Sequence, residues 1–239
     1  NLNLGCPSGT VTAKGKGAGF LSRTEELERF FEQVFSAARV KVSVKTRLGV
    51  LSPEEFPRLL EIYNRYPICE LTVHARVRAD MYRLPVREAW FDYALGHSRA
   101  SVCCNGDLFS ASAVRDFVQK RPECAAVMAG RGLAAGPDIT NRLNGAGWRS
   151  EAARRAALRE FHGEIYETCA ADFGSARSAM LRMKELWSYL QFSFEDCGRE
   201  LKRLMKAKGP AEFLSAADAV LSGCALATEP EYRPKEAPQ

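Results

Sequence analysis

The sequence lacks the features that mark a membrane protein, a zinc protein or a disulfide scaffold. Its apolar runs fall well short of the roughly 18–20 residues that span a bilayer. It has 8 cysteines without a C-x-x-C pair, and its 3 histidines are not spaced to complete a zinc cluster. A Walker loop ending in GK[ST] and a nucleophile elbow are also missing. We therefore expect neither a bound metal nor a membrane partner.

The composition is that of an ordinary globular protein. The 239 residues are 46% hydrophobic and 26% charged, which excludes wholesale disorder and suffices for a barrel-sized domain or a core domain with a smaller second one. The net charge of +5 is a mild tilt toward anionic partners. Cysteines that stand within apolar runs behave as small hydrophobes. Unpaired thiols in this number are typical of the reducing cytoplasm, where we expect the protein.

Short β-branched runs alternate with amphipathic segments in the first part of the chain. The predicted strands are Asn1–Leu4, Val40–Lys45, Cys69–His74, Ala100–Cys104 and Cys124–Ala129. Predicted helices follow Thr24, Ser52-Pro53 and Ser110, which are good cap residues. This alternation predicts right-handed βαβ units and a parallel sheet.

The pattern becomes entirely helical after about residue 147. Four helices are predicted over residues 150–170, 176–192, 197–206 and 211–221. We therefore predict a catalytic domain over residues 1–146, a helical domain over 147–226 and a flexible tail over 227–239. Five βα units do not close a barrel, so the chain is either a small open sheet or an α/β fold of the (β/α)8 TIM-barrel type from which three upstream units are absent. We favour the second interpretation.

Polar, glycine or cysteine residues stand at the end of every predicted strand, where parallel barrels place their ligand contacts. Three roles stay open for the loop thiol of Cys6, namely a nucleophile, a proton donor or an inert group. Lys45 either snorkels or binds a ligand, and His74 is either a core imidazole or a ligand contact. Glycines after the last two strands (Gly106, Gly130) either make turns or bind phosphate through backbone amides.

Five motifs resemble the tRNA-dihydrouridine synthases in order and spacing. They are N-L-N-L-G-C-P-S-x-x-V-x-x-K-G-x-G-A-x-x-L (1–21), V-K-T-R-L-G (44–49), V-H-A-R (73–76), N-G-D (105–107) and G-R-G (130–132). The first motif is highly specific, and the resemblance continues more weakly into R-M-K-E-L-W-S-Y-L (182–190), which looks closest to the position-16 type. One departure is H-A-R-V where the family more often has H-G-R-T, which puts any role of that threonine hydroxyl in doubt.

The resemblance implies an FMN-dependent oxidoreductase that reduces a uridine of the tRNA D-loop and uses NADPH to recharge the flavin. The five strands would be the fourth to eighth of the barrel. Cys6 matches the family's catalytic cysteine, which gives a proton to uracil C5 as the flavin N5 hydride goes to C6. Asn3 and Arg76 match substrate contacts, and Lys45 and His74 match flavin-ring contacts. The ribityl-phosphate contacts match Asn105, Gly106, Asp107, Gly130 and Arg131.

A tRNA substrate requires a positive docking surface, because the uridine must be extracted from folded RNA. The candidate RNA contacts are Lys14, Lys16, Arg78, Arg182, Lys184, Arg199, Lys202, Arg203 and Lys206. The alternative for the 199–208 cluster is a solvated helix face. Two other functions stay open: an FMN barrel that reduces free pyrimidines, and a non-catalytic tRNA-binding remnant. We expect a monomer.

Overall fold

A computed structural model of the protein describes residues 1–234. Five strands form one sheet in chain order, and every neighbouring pair is parallel. The strands are β1 (Leu2–Leu4), β2 (Val42–Arg47), β3 (Ile68–His74), β4 (Ser101–Asn105) and β5 (Ala126–Met128). All five predicted strands and their parallel order are confirmed. The closure of an eight-stranded barrel, and the numbering of these strands as fourth to eighth, stay predictions.

Helices alternate with these strands and then follow one another without a long strand between them. The first five are α1 (Gly9–Thr12), α2 (Thr24–Ala37), α3 (Phe56–Tyr63), α4 (Ala89–His97) and α5 (Ala111–Lys120). The next six are α6 (Arg131–Ala135), α7 (Ile139–Leu143), α8 (Glu151–Asp172), α9 (Ala176–Leu190), α10 (Gly198–Lys206) and α11 (Pro210–Gly223). Three 3-10 turns cover Gly17–Phe20, Pro53–Glu55 and Gln191–Ser193, and a small antiparallel pair joins β6 (Phe194–Glu195) to β7 (Ala225–Leu226).

Two helix starts illustrate what the cap residues do. Ser52 begins the turn before α3 with a capping box, in which Glu55 bonds back to the Ser52 amide at 2.7 Å. The Thr24 cap is wrong, because the Leu27 amide bonds to the Arg23 carbonyl at 2.9 Å and the helix therefore begins one residue earlier. The sequence-based reading missed α4, whose segment AWFDYALGH carries few polar residues to define one apolar stripe.

The chain forms two compact units. One comprises residues 1–107 and 116–129 and contains the five-stranded sheet; the other comprises residues 108–115 and 130–234 and is mainly helical. The core of the helical unit is built on fully buried side chains from three helices, among them Trp187, Leu204 and Phe213. None of the helices within residues 1–234 combines the length and apolarity required to cross a membrane. The functional boundary predicted at residues 146–147 stays a prediction.

Two of the eight cysteines are not free. Cys197 and Cys224 form a disulfide with their Cα atoms 5.8 Å apart, so the expectation of unpaired thiols is wrong for this pair. Both are buried at the ends of helices that pack together, a proximity that 27 residues of sequence separation conceals. In the predicted tail, the Ala227 amide bonds to the Ser193 carbonyl at 3.0 Å, and the Tyr232 ring lies 5.2 Å from that of Phe109. Residues 235–239 of the tail lie outside the described residues.

Candidate active site

The register of the sheet gathers the predicted site residues on one face. Arg47, His74 and Asn105 are direct partners across β2, β3 and β4. Asn3 pairs with Lys45, which stands two residues before Arg47 and therefore points to the same side. The alternate residues of these strands pack on the opposite, apolar face. One edge of one sheet face thus carries two amides, an imidazole and two cations.

A chain of hydrogen bonds fixes the His74 ring. Asn105 donates its Nδ2 to the Met128 carbonyl at 2.7 Å, which turns Oδ1 toward His74 Nδ1 at 3.1 Å. His74 Nδ1 is therefore the donor, and Nε2 accepts from Arg76 Nη1 at 3.1 Å. Arg76 in turn forms a two-point ion pair with Asp107, at 2.9 and 2.6 Å. This chain holds a neutral imidazole in one orientation.

The turn after β4 requires glycine. Gly106 has a φ of +130°, and a Cβ at that position would lie 2.5 Å from Val86 Cγ1. Next to it, Asp107 accepts a hydrogen bond from the Val86 amide at 3.1 Å as well as those from Arg76. The Asp107 carboxylate is thus engaged in holding Arg76 and the turn, and any contact of this turn with an anion would come from its backbone amides.

The Cys6 loop is clamped from two sides. Asn3 accepts a hydrogen bond from the Gly5 amide through Oδ1 at 3.0 Å, and the Ala18 amide donates to the Cys6 carbonyl at 2.9 Å. Gly17 approaches this carbonyl so closely, with a φ of +54°, that a Cβ would lie 2.7 Å from it. The chain that follows Cys6 folds into α1 and then the 3-10 turn Gly17–Phe20. It fixes the backbone of the half-buried Cys6.

Arg47 is a site residue to which sequence reasoning assigned no role. Its side chain is 1% exposed. Its Nε donates to the Gly5 carbonyl at 3.0 Å, and its Nη1 donates to the carbonyls of Val77 and Met81, each at 2.9 Å. The Tyr82 ring lies over the guanidinium at 5.1 Å. Arg47 therefore connects the residue before Cys6 to the segment after β3. The available signal was an arginine at the end of a buried strand.

The site carries more positive charge than its own carboxylates balance. Arg76 is paired with Asp107, and Arg87 is paired with Asp80. Lys45 forms no ion pair within residues 1–234; burial lowers the pKa of its ammonium group, and the neighbouring Arg47 charge lowers it further. Burial also lowers the pKa of Arg47. This surplus favours an anionic ligand at the carboxyl edge of the sheet.

A polar cavity of about 330 Å³ lies beside the α1 segment. Its lining includes Thr12, Ser22, Arg23 and Arg78, and Arg78 donates to Thr12 Oγ1 at 3.2 Å. Arg78 was a predicted RNA contact, whereas Arg23 was missed because nothing in its sequence surroundings distinguishes it. Lys14 and Lys16, which follow α1 in the chain, are exposed.

The helical unit presents a separate basic face on α10. Arg199, Lys202, Arg203 and Lys206 are spaced i, i+3, i+4 and i+7, so they share one side of the helix, and all four are exposed. None of them forms an ion pair with another described residue. The opposite side contributes the buried Leu204 to the core. We call these four residues the α10 basic face.

The other predicted contacts of this unit have protein partners. Arg182 pairs with Glu185 at 3.3 Å. Lys184 donates to the carbonyl of Ala207, the residue that ends α10, at 2.5 Å. Gly130 caps α6, and the Arg131 guanidinium lies 4.9 Å from the Phe109 ring. Their roles in RNA or phosphate binding stay predictions. Among residues 1–234, no group of three or more His, Cys, Asp or Glu side chains is placed to hold a metal.

Comparison with known proteins identifies the family. Residues 1–221 match the Dihydrouridine synthase (Dus) family. A tRNA-dihydrouridine(16) synthase of Ralstonia nicotianae is 28% identical over 93% of the chain and 68% of that protein. The protein of the same name from Cupriavidus necator is 33% identical over 61% of the chain and 45% of its own length. The one from Neisseria meningitidis serogroup B is 26% identical over 89% of the chain and 65% of its own length. The chain thus spans about two thirds or less of these relatives. With nine-tenths of its residues inside the family match, the chain belongs to the dihydrouridine synthase family.

Proposed function

We propose that the protein is an FMN-dependent tRNA-dihydrouridine synthase that uses NADPH as reductant and reduces the C5–C6 double bond of a D-loop uridine. The observation that carries this proposal is the clamped Cys6 loop beside the two unbalanced cations, Lys45 and Arg47. The family match and the names of the relatives point the same way. We place the enzyme in the cytoplasm and expect it to act as a monomer.

The residues at the carboxyl edge of the sheet fit a flavin mononucleotide. Lys45 and His74 would contact its ring, and the backbone of Asn105, Gly106 and Asp107 would contact its ribityl phosphate. The bound flavin would supply the hydride for uracil C6. The unbalanced charge of Lys45 favours the anionic ring of a reduced flavin. His74 is held neutral between Asn105 and Arg76, so it can orient a ligand but is not arranged to deliver a proton.

Cys6 is the proposed proton donor. As hydride reaches C6, negative charge develops at C5, and an acid on the opposite side of the base is needed there. The Cys6 thiol would give its proton to C5 and become a thiolate. Arg47 positions this group, since it holds the preceding carbonyl at 3.0 Å. Asn3 uses its side-chain oxygen on the Gly5 amide, which leaves its Nδ2 to donate to the uracil edge.

The tRNA backbone is proposed to contact two basic surfaces. The α10 basic face offers four exposed cations without ion-pair partners among the described residues, a spacing suited to consecutive phosphates. The Arg23–Arg78 cavity and the exposed Lys14 and Lys16 offer a second surface beside the Cys6 loop. An enzyme that reduces free pyrimidines needs neither surface. We therefore favour tRNA over a free base as the substrate.

The test uses the full-length gene product under anaerobic conditions. The proposal expects a bound flavin whose visible absorbance is bleached by NADPH and restored by unmodified tRNA but not by free uracil. Cys6→Ala should keep the bleaching and lose the restoration, whereas Cys69→Ala, which removes an exposed thiol on β3, should behave as the wild type. A folded protein without flavin, or an unimpaired Cys6→Ala variant, would refute the proposal.

A further inference from the structure

Residues 227–232 form a segment that hydrogen bonds hold against the rest of the helical unit. The Ala227 amide donates to the Ser193 carbonyl at 3.0 Å. The next carbonyl along the chain, that of Thr228, accepts a hydrogen bond from Arg142 Nη1 at 2.7 Å. We call this segment the C-terminal strap. Its beginning is thus fixed by bonds to its own backbone.

The middle of the C-terminal strap contacts the start of one helix and the end of the next. Glu229 Oε1 accepts a hydrogen bond at 2.7 Å from the amide of Ser112, the second residue of α5. Pro230 is buried. A Cβ on Gly136, the residue that ends α6, would lie only 2.8 Å from Pro230 Cβ. The strap therefore packs on both α5 and α6.

The far end of the C-terminal strap reaches Arg131, the arginine of the G-R-G motif. The Tyr232 amide donates to the Phe109 carbonyl at 3.4 Å, and the two rings meet edge to face at 5.2 Å. The Arg131 guanidinium lies 5.3 Å from the centre of the Tyr232 ring and 4.9 Å from that of Phe109. Both distances are those of cation–π contacts. Two rings therefore hold the half-buried Arg131 side chain, and one of them belongs to the strap.

The Tyr232 ring is itself fixed by neighbouring rings. It lies 5.5 Å from the ring of Tyr189 on α9 and 5.4 Å from that of Phe192 in the following 3-10 turn. A long arginine side chain loses much rotamer freedom when a ligand fixes it. Rings that hold Arg131 beforehand reduce this cost, so binding of its ligand becomes tighter without a new contact to that ligand.

We propose that Tyr232 is a positioning residue for the cofactor, which holds the Arg131 guanidinium in the orientation that contacts the flavin phosphate. The inference rests on the proposed function, which requires bound FMN, and on the phosphate contact that the family resemblance implies for Arg131. A guanidinium suits this contact, because its planar fork of donors matches phosphate oxygens. The family match covers residues 1–221 and therefore does not include the C-terminal strap.

The test compares FMN with riboflavin, which has the same ring and ribityl chain but no phosphate group. The full-length gene product is freed of flavin by dialysis, shown to be folded by circular dichroism, and titrated with each flavin while the flavin fluorescence is followed. Tyr232→Leu should weaken FMN binding about fivefold and leave riboflavin binding unchanged. Tyr232→Phe keeps the ring over Arg131 and should bind both flavins as the wild type does.

Two further variants separate positioning from folding. Tyr166→Leu makes the same substitution at a ring of α8 that stacks on Phe213 at 6.3 Å, and it should change neither dissociation constant. Arg131→Gln should weaken FMN binding about tenfold and spare riboflavin. Adding Tyr232→Leu to Arg131→Gln should weaken FMN binding little further, because the ring then has no cation to hold.

Several results would overturn the inference. They are an unchanged dissociation constant for FMN in Tyr232→Leu, equal weakening of FMN and riboflavin in that variant, and additive effects in the double variant. If Arg131→Gln binds FMN as the wild type does, the phosphate contact and the inference fail, whereas a flavin that NADPH bleaches and tRNA restores keeps the proposed function. A folded wild type that binds neither flavin refutes both.

Discussion

Acidification should destabilise the helical unit through one buried histidine. His162 on α8 is 5% exposed; its ring lies 5.6 Å from that of Trp187 and 6.1 Å from that of Phe213. Its Nε2 has no hydrogen-bond partner among the described residues. Burial lowers the pKa of this imidazole from 6.5 to about 4. The folded protein therefore resists protonation that the unfolded chain accepts.

The sign and size of the effect follow from this pKa difference. Well above pH 6.5 the imidazole is neutral in the folded and in the unfolded protein, so it does not make the free energy of unfolding depend on pH. As the pH falls from 6.5 to 4, the unfolded state binds a proton that the folded state does not, so the free energy of unfolding decreases by about 1.4 kcal/mol per pH unit. Between pH 7 and pH 4.5 the expected loss from His162 is about 2.5 kcal/mol.

The assay is urea unfolding across this pH range, followed by tryptophan fluorescence, for the wild type and a His162→Phe variant. Carboxylates titrate in both proteins, so the difference between the two free energies of unfolding isolates His162. We expect that difference to change by about 2.5 kcal/mol in favour of the variant as the pH falls to 4.5. A constant difference, or an NMR titration of the folded protein that gives His162 a pKa near 6.5, would refute the reasoning.

Three further predictions concern the proposed site and RNA surface. Gly106→Ala should lower the free energy of unfolding in urea by about 1–3 kcal/mol, because Gly106 has a positive φ and lies close to Val86. Gly96→Ala should not lower it, because the space around Gly96 is open. Equal effects of the two variants would contradict this prediction. Arg47→Lys should slow the tRNA-dependent reoxidation of flavin while the flavin is retained, since the Gly5 carbonyl loses its donor; an unchanged rate would exclude positioning by Arg47. The double variant Lys202→Gln/Arg203→Gln should weaken tRNA binding and reduce the slope of log affinity against log salt by about 1–2; an unchanged slope would exclude the α10 basic face.

Local patterns made much of the fold predictable from the sequence. The short apolar runs correspond to β1–β5, because the strands of a parallel sheet are covered by other parts of the protein. The α10 basic face could be found from spacing alone, since residues 199, 202, 203 and 206 share one side of any helix. By contrast, α4 lacks a polar face, and β6 and β7 are two residues each, so neither produces a periodic pattern.

The contacts between site residues were not predictable, because they depend on register and on distant partners. The bond from Arg47 to the Gly5 carbonyl joins residues 42 positions apart, and the ion pair of Arg76 with Asp107 joins residues 31 apart. The sequence indicated that Arg76 and Asp107 stand at strand ends. It did not indicate that they hold each other. The ribityl-phosphate contact expected at Asp107 came from the family resemblance and stays a prediction.

The charges that stay unbalanced are the strongest physical argument that the sheet edge is a binding site. Holding the half-buried ammonium group of Lys45 without a carboxylate partner is unfavourable, and a well-packed apolar residue at this position would be less costly. Burial is also the first cause of the lowered pKa of Lys45. Arg47 is held by the backbone carbonyls of Gly5, Val77 and Met81, which account for its burial. Lys45 has no such partner among the described residues, and it is therefore the cation for which we propose a bound ligand. The same reasoning separates Lys45 from Arg76 and Arg87, each of which has a carboxylate partner.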